Sequence, residues 1–225
     1  MLNKAAVALA SAAAFGALPA EAQITTIYTS NVLTMPSSTT ATVFESFNGS
    51  AGAFSGAANA IAKESATSGN GGTVARVSTG VPFSGFGTAL RLTDTKNGLG
   101  NDPQMTVDFV GAVHFFSFII GNFNGDSSVT FNFTNGPSQT LKGAQIVNGP
   151  AASLGTSGRV SYHLGALNLD NVVFRQSGGP GNSFVIDELA SAAPEPAAWA
   201  FMIFGFGAVG TVLRGRRSRQ RQAVA

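Results

Sequence analysis

An all-β chain, folded as an antiparallel, jelly-roll-like sandwich and followed by a single C-terminal transmembrane helix, is what this sequence predicts. Short apolar runs alternate with polar residues between Gln23 and Ala193, the strand signature. Gly is plentiful at 28 residues and only 11% of the chain is charged, a turn-rich β composition with few helix formers. An uninterrupted apolar stretch from Ala197 to Leu213 then precedes a run of arginines. These features divide the 225 residues into a leader (1–22), a sandwich domain (23–190) and a tail (191–225).

The first segment has a positive start at Lys4, an apolar stretch from Ala5 to Leu18, and Ala20-Glu21-Ala22 before Gln23. Small residues at Ala20 and Ala22 form the box that signal peptidase accepts, so cleavage is expected between Ala22 and Gln23. Such a leader implies export.

Within the domain the strand runs are expected near Ile24–Ser30, Val43–Asn48, Val74–Ser78, Ala89–Thr93, Met105–Phe109, Val113–Gly121, Val129–Thr134, Ala144–Val147, Val160–Leu164, Val172–Gln176 and Ser183–Leu189. In Val129–Thr134 the apolar side chains fall on one face and Thr130 and Asn132 on the other, the pattern of a half-buried antiparallel strand. Gly49–Gly72, dominated by Gly, Ala, Ser and Asn, reads as a long loop with at most one helical turn around Ala57–Glu64. Ser177–Asn182 is rich enough in Gly and Pro to close a hairpin between the last two runs, with Phe184, Ile186 and Leu189 packing inward. Most of the 18 Phe residues stand at alternating positions and read as core.

The sequence pI of about 9.3 comes from the chain's end. Between Gln23 and Ala193 there are seven Lys or Arg against nine Asp or Glu, a net charge of −2, so the pI does not point to nucleic-acid binding by the folded part. With no cysteine, a disulfide scaffold, a thiolate metal site and a cysteine nucleophile are excluded. His114 and His163 each stand in a strand run without a partner placed by the sequence. Asp187 and Glu188 are adjacent, so on a regular strand they point to opposite faces and cannot form a facing acid and base pair. No catalytic residue or cofactor is therefore assigned; Asp94, Asn97, Asn101 and Asp102 gather oxygen donors in one loop that suits a structural Ca²⁺ without the EF-hand order. Thr39-Thr40-Ala41-Thr42 lacks the periodic partners that a flat ice-binding ladder requires.

Ala197–Leu213 would span about 25 Å as a helix at 1.5 Å per residue, short of the roughly 30 Å hydrocarbon core by an amount that snorkelling and local thinning absorb. Trp199 lies near its outer end, and Arg214, Arg216, Arg217, Arg219 and Arg221 follow as a positive-inside anchor. Gly205-Phe206-Gly207-Ala208-Val209-Gly210 matches the dinucleotide fingerprint G-x-G-x-x-G, but no strand precedes it and no βαβ unit surrounds it.

Pro194-Glu195-Pro196 followed by Trp199, the apolar span and the basic end resembles the PEP-CTERM sorting signal in its PEPxxWA form. The resemblance covers Pro194 to Arg221 and implies a Gram-negative bacterium with an exosortase that recognises the P-E-P box and releases the protein from its anchor. The implied partners are signal peptidase, exosortase and, transiently, the inner membrane, and the implied location is the cell surface or exopolysaccharide matrix. Two prolines hold the box extended and accessible. Phe116–Gly121 and Phe184–Leu189 resemble segments of PEP-CTERM surface proteins with a galactose-binding-like sandwich. The expectation is a surface or matrix protein without catalytic activity, with a carbohydrate-binding module as the alternative and a hydrolase behind it. Extracellular polysaccharide is the further partner this admits, although Tyr28 and Tyr162 are the domain's only Tyr residues and its Trp is in the tail.

Overall fold

Alternating runs do become strands, and every described strand pairing is antiparallel. The structure is a computed structural model that describes residues 24–29, 41–68, 71–78, 87–95, 102–149 and 157–192. In chain order the strands are β1 (Thr25–Thr29), β2 (Thr42–Glu45), β3 (Gly52–Ala53), β4 (Ala62–Thr67), β5 (Gly72–Ser78), β6 (Thr88–Asp94), β7 (Gln104–Phe109), β8 (Phe115–Gly121), β9 (Ser127–Phe133), β10 (Gln139–Lys142), β11 (Gly158–His163), β12 (Leu169–Gln176) and β13 (Ser183–Ala192). One sheet of eight runs β1-β11-β8-β13-β6-β5-β3, with β2 on the far half of β13; a second of five runs β10-β9-β12-β7-β4. Among the described pairings only β5–β6 and β9–β10 join consecutive strands. Elsewhere the chain mostly crosses from one sheet to the other.

The two inner faces share one core. Phe116, Phe118 and Ile120 of β8 and Phe184 and Ile186 of β13 meet Val129 and Phe131 of β9 and Val172 and Phe174 of β12, all fully buried. Aromatic pairs bridge the layers: Phe118 meets Phe174 edge-on at 5.0 Å between centroids, and Phe131 meets Tyr162 at 4.7 Å. Such pairs contribute about 0.5–1.5 kcal/mol each beyond area burial. Phe184, Ile186 and Leu189 are inside, as their spacing predicts.

Three local expectations are corrected. Ala144–Val147 is not a strand: it belongs to a 3₁₀ turn, Gly143–Val147, ended by Asn148 in the left-handed region (φ +50°) and tied down by the Tyr162 hydroxyl donating to the Ile146 carbonyl at 2.7 Å. Gly49–Gly72 is not a loop with a helical turn: it holds β3 and β4, because β4 pairs residue for residue with β7 over Ala62–Thr67. Ser177–Asn182 does not close a hairpin, since β12 and β13 lie in different sheets. Among the described residues no helix is long and apolar enough to cross a membrane; Ala197–Leu213, assigned above to a transmembrane helix, lies outside the described residues.

Candidate functional site

The outward face of the five-stranded sheet collects the polar halves of five alternating strands. Antiparallel register sets Lys142, Ser128, Arg175, Gln104 and Thr67 in one row across β10, β9, β12, β7 and β4. A second row runs Thr140, Thr130, Val173, Thr106 and Ser65. A third runs Asn132, Asn171, Asp108 and Lys63. Asn171 faces outward although Leu169, two positions before, is buried, because a bulge at Asp170 adds one residue and shifts the alternation. Side chains knit the rows: Thr130 and Thr140 hydroxyls lie 2.9 Å apart, Asn132 donates to Asn171 Oδ1 at 2.6 Å, and Ser138 donates to Asn132 Oδ1 at 2.6 Å.

Lys142, Ser128, Arg175 and Gln104 of the first row and Thr140, Thr130 and Val173 of the second line a groove of about 510 Å³ across β10, β9, β12 and β7. Its rim is fixed where Gly178 (φ +97°) crosses Asp126 so closely that a Cβ there would overlap the carboxylate. On its floor Arg175 forms an ion pair with Asp102, Nη2 to Oδ2 at 2.6 Å, and its Nε donates to the same oxygen at 2.8 Å. The groove can donate and accept many hydrogen bonds and has one apolar contact, Val173, near its centre. Asp126 is the one carboxylate on its described lining.

A second cluster of charges lies on the other side of that sheet and in the eight-stranded sheet. Glu64 points inward from β4, 4% exposed, with the Glu45 side chain beside it; burial and then the Glu45 charge push its carboxyl up to about 8, against the pull of Arg76. Gly56 (φ +117°) lets its loop pass over the β4 backbone at Glu64, where a Cβ would overlap the carbonyl. Asp187, fully buried, accepts the Glu188 backbone N–H through Oδ1 at 2.7 Å, and its Oδ2 has no hydrogen-bond partner among the described residues. Burial raises its carboxyl to about 7, aided by the charges of Glu188 and Glu45 and opposed by that N–H and by Arg159. Arg159, 1% exposed, ion-pairs with Glu188 and donates to the Ser117 hydroxyl at 3.3 Å. Burial lowers its guanidinium from the usual value while Glu188 and Asp187 hold it up.

The residues singled out from the sequence fall as follows. Asp187 and Glu188 are not split between two faces, because a bulge in β13 with Glu188 at φ +42° brings both charges to Arg159. His114 Nδ1 lies 3.0 Å from the Gly165 carbonyl, and the His163 ring packs on Phe115 at 5.1 Å. Of the calcium set, Asp94 accepts the Gly179 N–H at 2.7 Å and Asp102 holds Arg175, while Asn97 and Asn101 lie outside the described residues. Among the described residues no three His, Asp or Glu side chains are grouped to hold a metal ion. Tyr162 is buried and Tyr28 donates to the Ser157 carbonyl at 2.8 Å; no aromatic side chain among the described residues is exposed. Ala20, Ala22, Gln23, Pro194, Glu195, Pro196, Trp199, Arg214, Arg216, Arg217, Arg219 and Arg221 lie outside the described residues, as do Thr39 and Thr40. The polar rows were missed as a site, since their only sequence signal is the hydrophilic half of each alternating run.

No family model matches the chain and no curated protein does. Among solved structures it is similar to the family 11 carbohydrate-binding module of the cellulosomal cellulase Lic26A-Cel5E of Clostridium thermocellum. The TM-score is 0.39 at 12% identity, covering 70% of this chain and 97% of that one. A family 11 module from Clostridium thermocellum in complex with a β-1,3-1,4-mixed-linked tetrasaccharide gives 0.36 at 12% identity, covering 68% and 95%. The solution structure of CtCBM11 gives 0.36 at 15% identity, covering 72% and 99%.

Proposed function

We propose that this chain is an exported cell-surface or exopolysaccharide-matrix protein whose jelly-roll-like sandwich holds polysaccharide without catalysis. The observation that carries the binding role is the groove on the five-stranded sheet, lined by hydroxyl, amide and charged side chains in register. A polyhydroxylated chain offers the matching donors and acceptors, and the groove's span of about four strands at 4.8 Å spacing accommodates a few sugar rings. Non-catalytic binding is favoured because the carboxylates with raised values, Glu64 and Asp187, are buried away from this groove. Export and sorting rest on the Ala20-Glu21-Ala22 box and the P-E-P box with its apolar span and arginines.

A glycan array and a hydrolase panel on the exported protein test the first part. Saturable binding without turnover is expected, and the Gln104→Ala, Thr130→Ala double variant is expected to lower it at least tenfold while the melting temperature stays within about 2 °C. Turnover of any glycan defeats the non-catalytic reading. For the sorting part, Pro194→Ala with Glu195→Ala, expressed beside an exosortase, should leave the protein in the membrane fraction; normal release would make the tail a plain anchor.

A further inference from the structure

We infer that the groove is selective for an acidic polysaccharide and that Lys142 and Arg175 read its carboxylates, an inference that rests on the glycan-binding reading above. Both side chains stand in the first polar row with Ser128 between them, on strands two apart, so their Cα atoms are about 10 Å apart. That separation suits two points along one sugar chain better than a single small anion.

The charges are unequally shown. Arg175 is 53% exposed while its counter-ion Asp102 is 9% exposed, so the face presents the cation and hides the acid. Asp102 takes Nε and Nη2 on one oxygen, which holds the guanidinium plane in place and leaves Nη1 to meet an incoming carboxylate. Lys142 is exposed on the edge strand β10, and neither described ion pair involves it. Asp126, the acid on the lining, sits at the rim against Gly178.

The domain as a whole is mildly acidic, with seven basic against nine acidic residues between Gln23 and Ala193. Its long-range field therefore does not draw polyanions in, and selectivity for an acidic sugar has to come from these two cations at close range. Ser128 and Gln104 remain available for ring hydroxyls in the same row.

The test compares the exported protein's affinity for polygalacturonate and alginate, for carboxyl-reduced polygalacturonate, for a neutral β-glucan and for dextran sulfate at fixed salt. Expected are at least tenfold tighter binding to a uronate polymer than to the carboxyl-reduced one, and a loss of about fivefold or more in each of Lys142→Ala and Arg175→Ala. Arg91→Ala, an exposed position on β6 of the other sheet, should change nothing. Equal affinity for native and reduced polymer overturns the inference and leaves the glycan-binding reading standing. Preference for dextran sulfate over both uronates assigns the cations to sulfate esters and overturns the carboxylate assignment. Absence of binding to every polymer overturns the inference and the reading beneath it together.

Discussion

The outward faces of the two sheets obey the same alternation and end in opposite environments. On the five-stranded sheet the outward row of Lys142, Ser128, Arg175 and Gln104 lines an open groove. On the eight-stranded sheet the outward row of Arg159, Ile119 and Asp187, in register across β11, β8 and β13, is buried, with Ser117 and Ser161 hydrogen-bonded beside it. A charge on the first face keeps its hydration and remains able to act on a ligand; on the second it must be matched inside the protein or keep its proton. The proposed binding and the pH-dependent stability thereby fall to different faces.

The largest effect should come from breaking the buried match. Arg159→Met leaves Glu188 without its cation; removing one member of a buried pair costs about 3–5 kcal/mol, and because Glu188 is 26% exposed and can be hydrated the loss falls at the lower end, about 3 kcal/mol. In a chain of this size that lowers the melting temperature by about 6–12 °C, whereas Lys142→Ala on the open face should move it by less than about 2 °C. Adding Glu188→Leu to Arg159→Met should recover part of the loss, since one orphaned charge goes with it. Equal losses at Arg159 and Lys142 in thermal melts would erase the contrast between the faces.

Next in size is a dependence on pH. Glu64, lifted to about 8, and Asp187, lifted to about 7, keep their protons when folded at pH values where the unfolded chain, with ordinary carboxyls, has released them. Raising the pH therefore pulls towards the unfolded state: the stabilisation is complete below about pH 4 and is lost as pH climbs to about 8. The charges that face these groups are Glu45 and Arg76 for Glu64, and Glu188, Arg159 and Glu45 for Asp187. Urea unfolding should show lower stability at pH 8 than at pH 5.5, and Glu64→Gln with Asp187→Asn should flatten that slope. A slope of opposite sign would show that both acids ionise readily where they stand.

The sandwich was legible because Val129–Thr134 and Met105–Phe109 carry the period of two plainly and because phenylalanine fills the inward positions. β4 was not, because Ala62-Lys63-Glu64-Ser65-Ala66-Thr67 has helix-forming residues and an acid at an inward position; pairing with β7 decides its conformation. β10 has a single apolar residue, Leu141, and depends likewise on its neighbour β9. Gly and Pro in Ser177–Asn182 announce a change of direction without saying which sheet the next strand joins. The groove was hidden for the same reason: Lys142, Ser128, Arg175 and Gln104 come from four strands whose order is not the order of the sequence. Bulges at Asp170 and beyond Asp187 each reassign a face that strict alternation would have given otherwise.

The smallest expected effect sharpens the open face itself. Val173 sits on the central strand of the five, between Thr130 and Thr106, and is the one apolar member of its row. A sugar chain crossing the groove would place C–H groups over it but find no aromatic platform. Val173→Trp supplies one, on a residue type that strands accept well, so the melting temperature should shift by no more than about 2 °C. Stacking contacts of about 0.5–1.5 kcal/mol correspond to roughly two- to tenfold tighter binding. The gain should appear for neutral β-glucan and uronate polymer alike, because it depends on the ring face and not on the carboxylate. It should persist when Lys142→Ala is added, since the two contacts are made by different parts of the ligand. Unchanged affinity for every polymer in titration calorimetry would place the sugar away from Val173, and the open face would then lose its claim to the ligand.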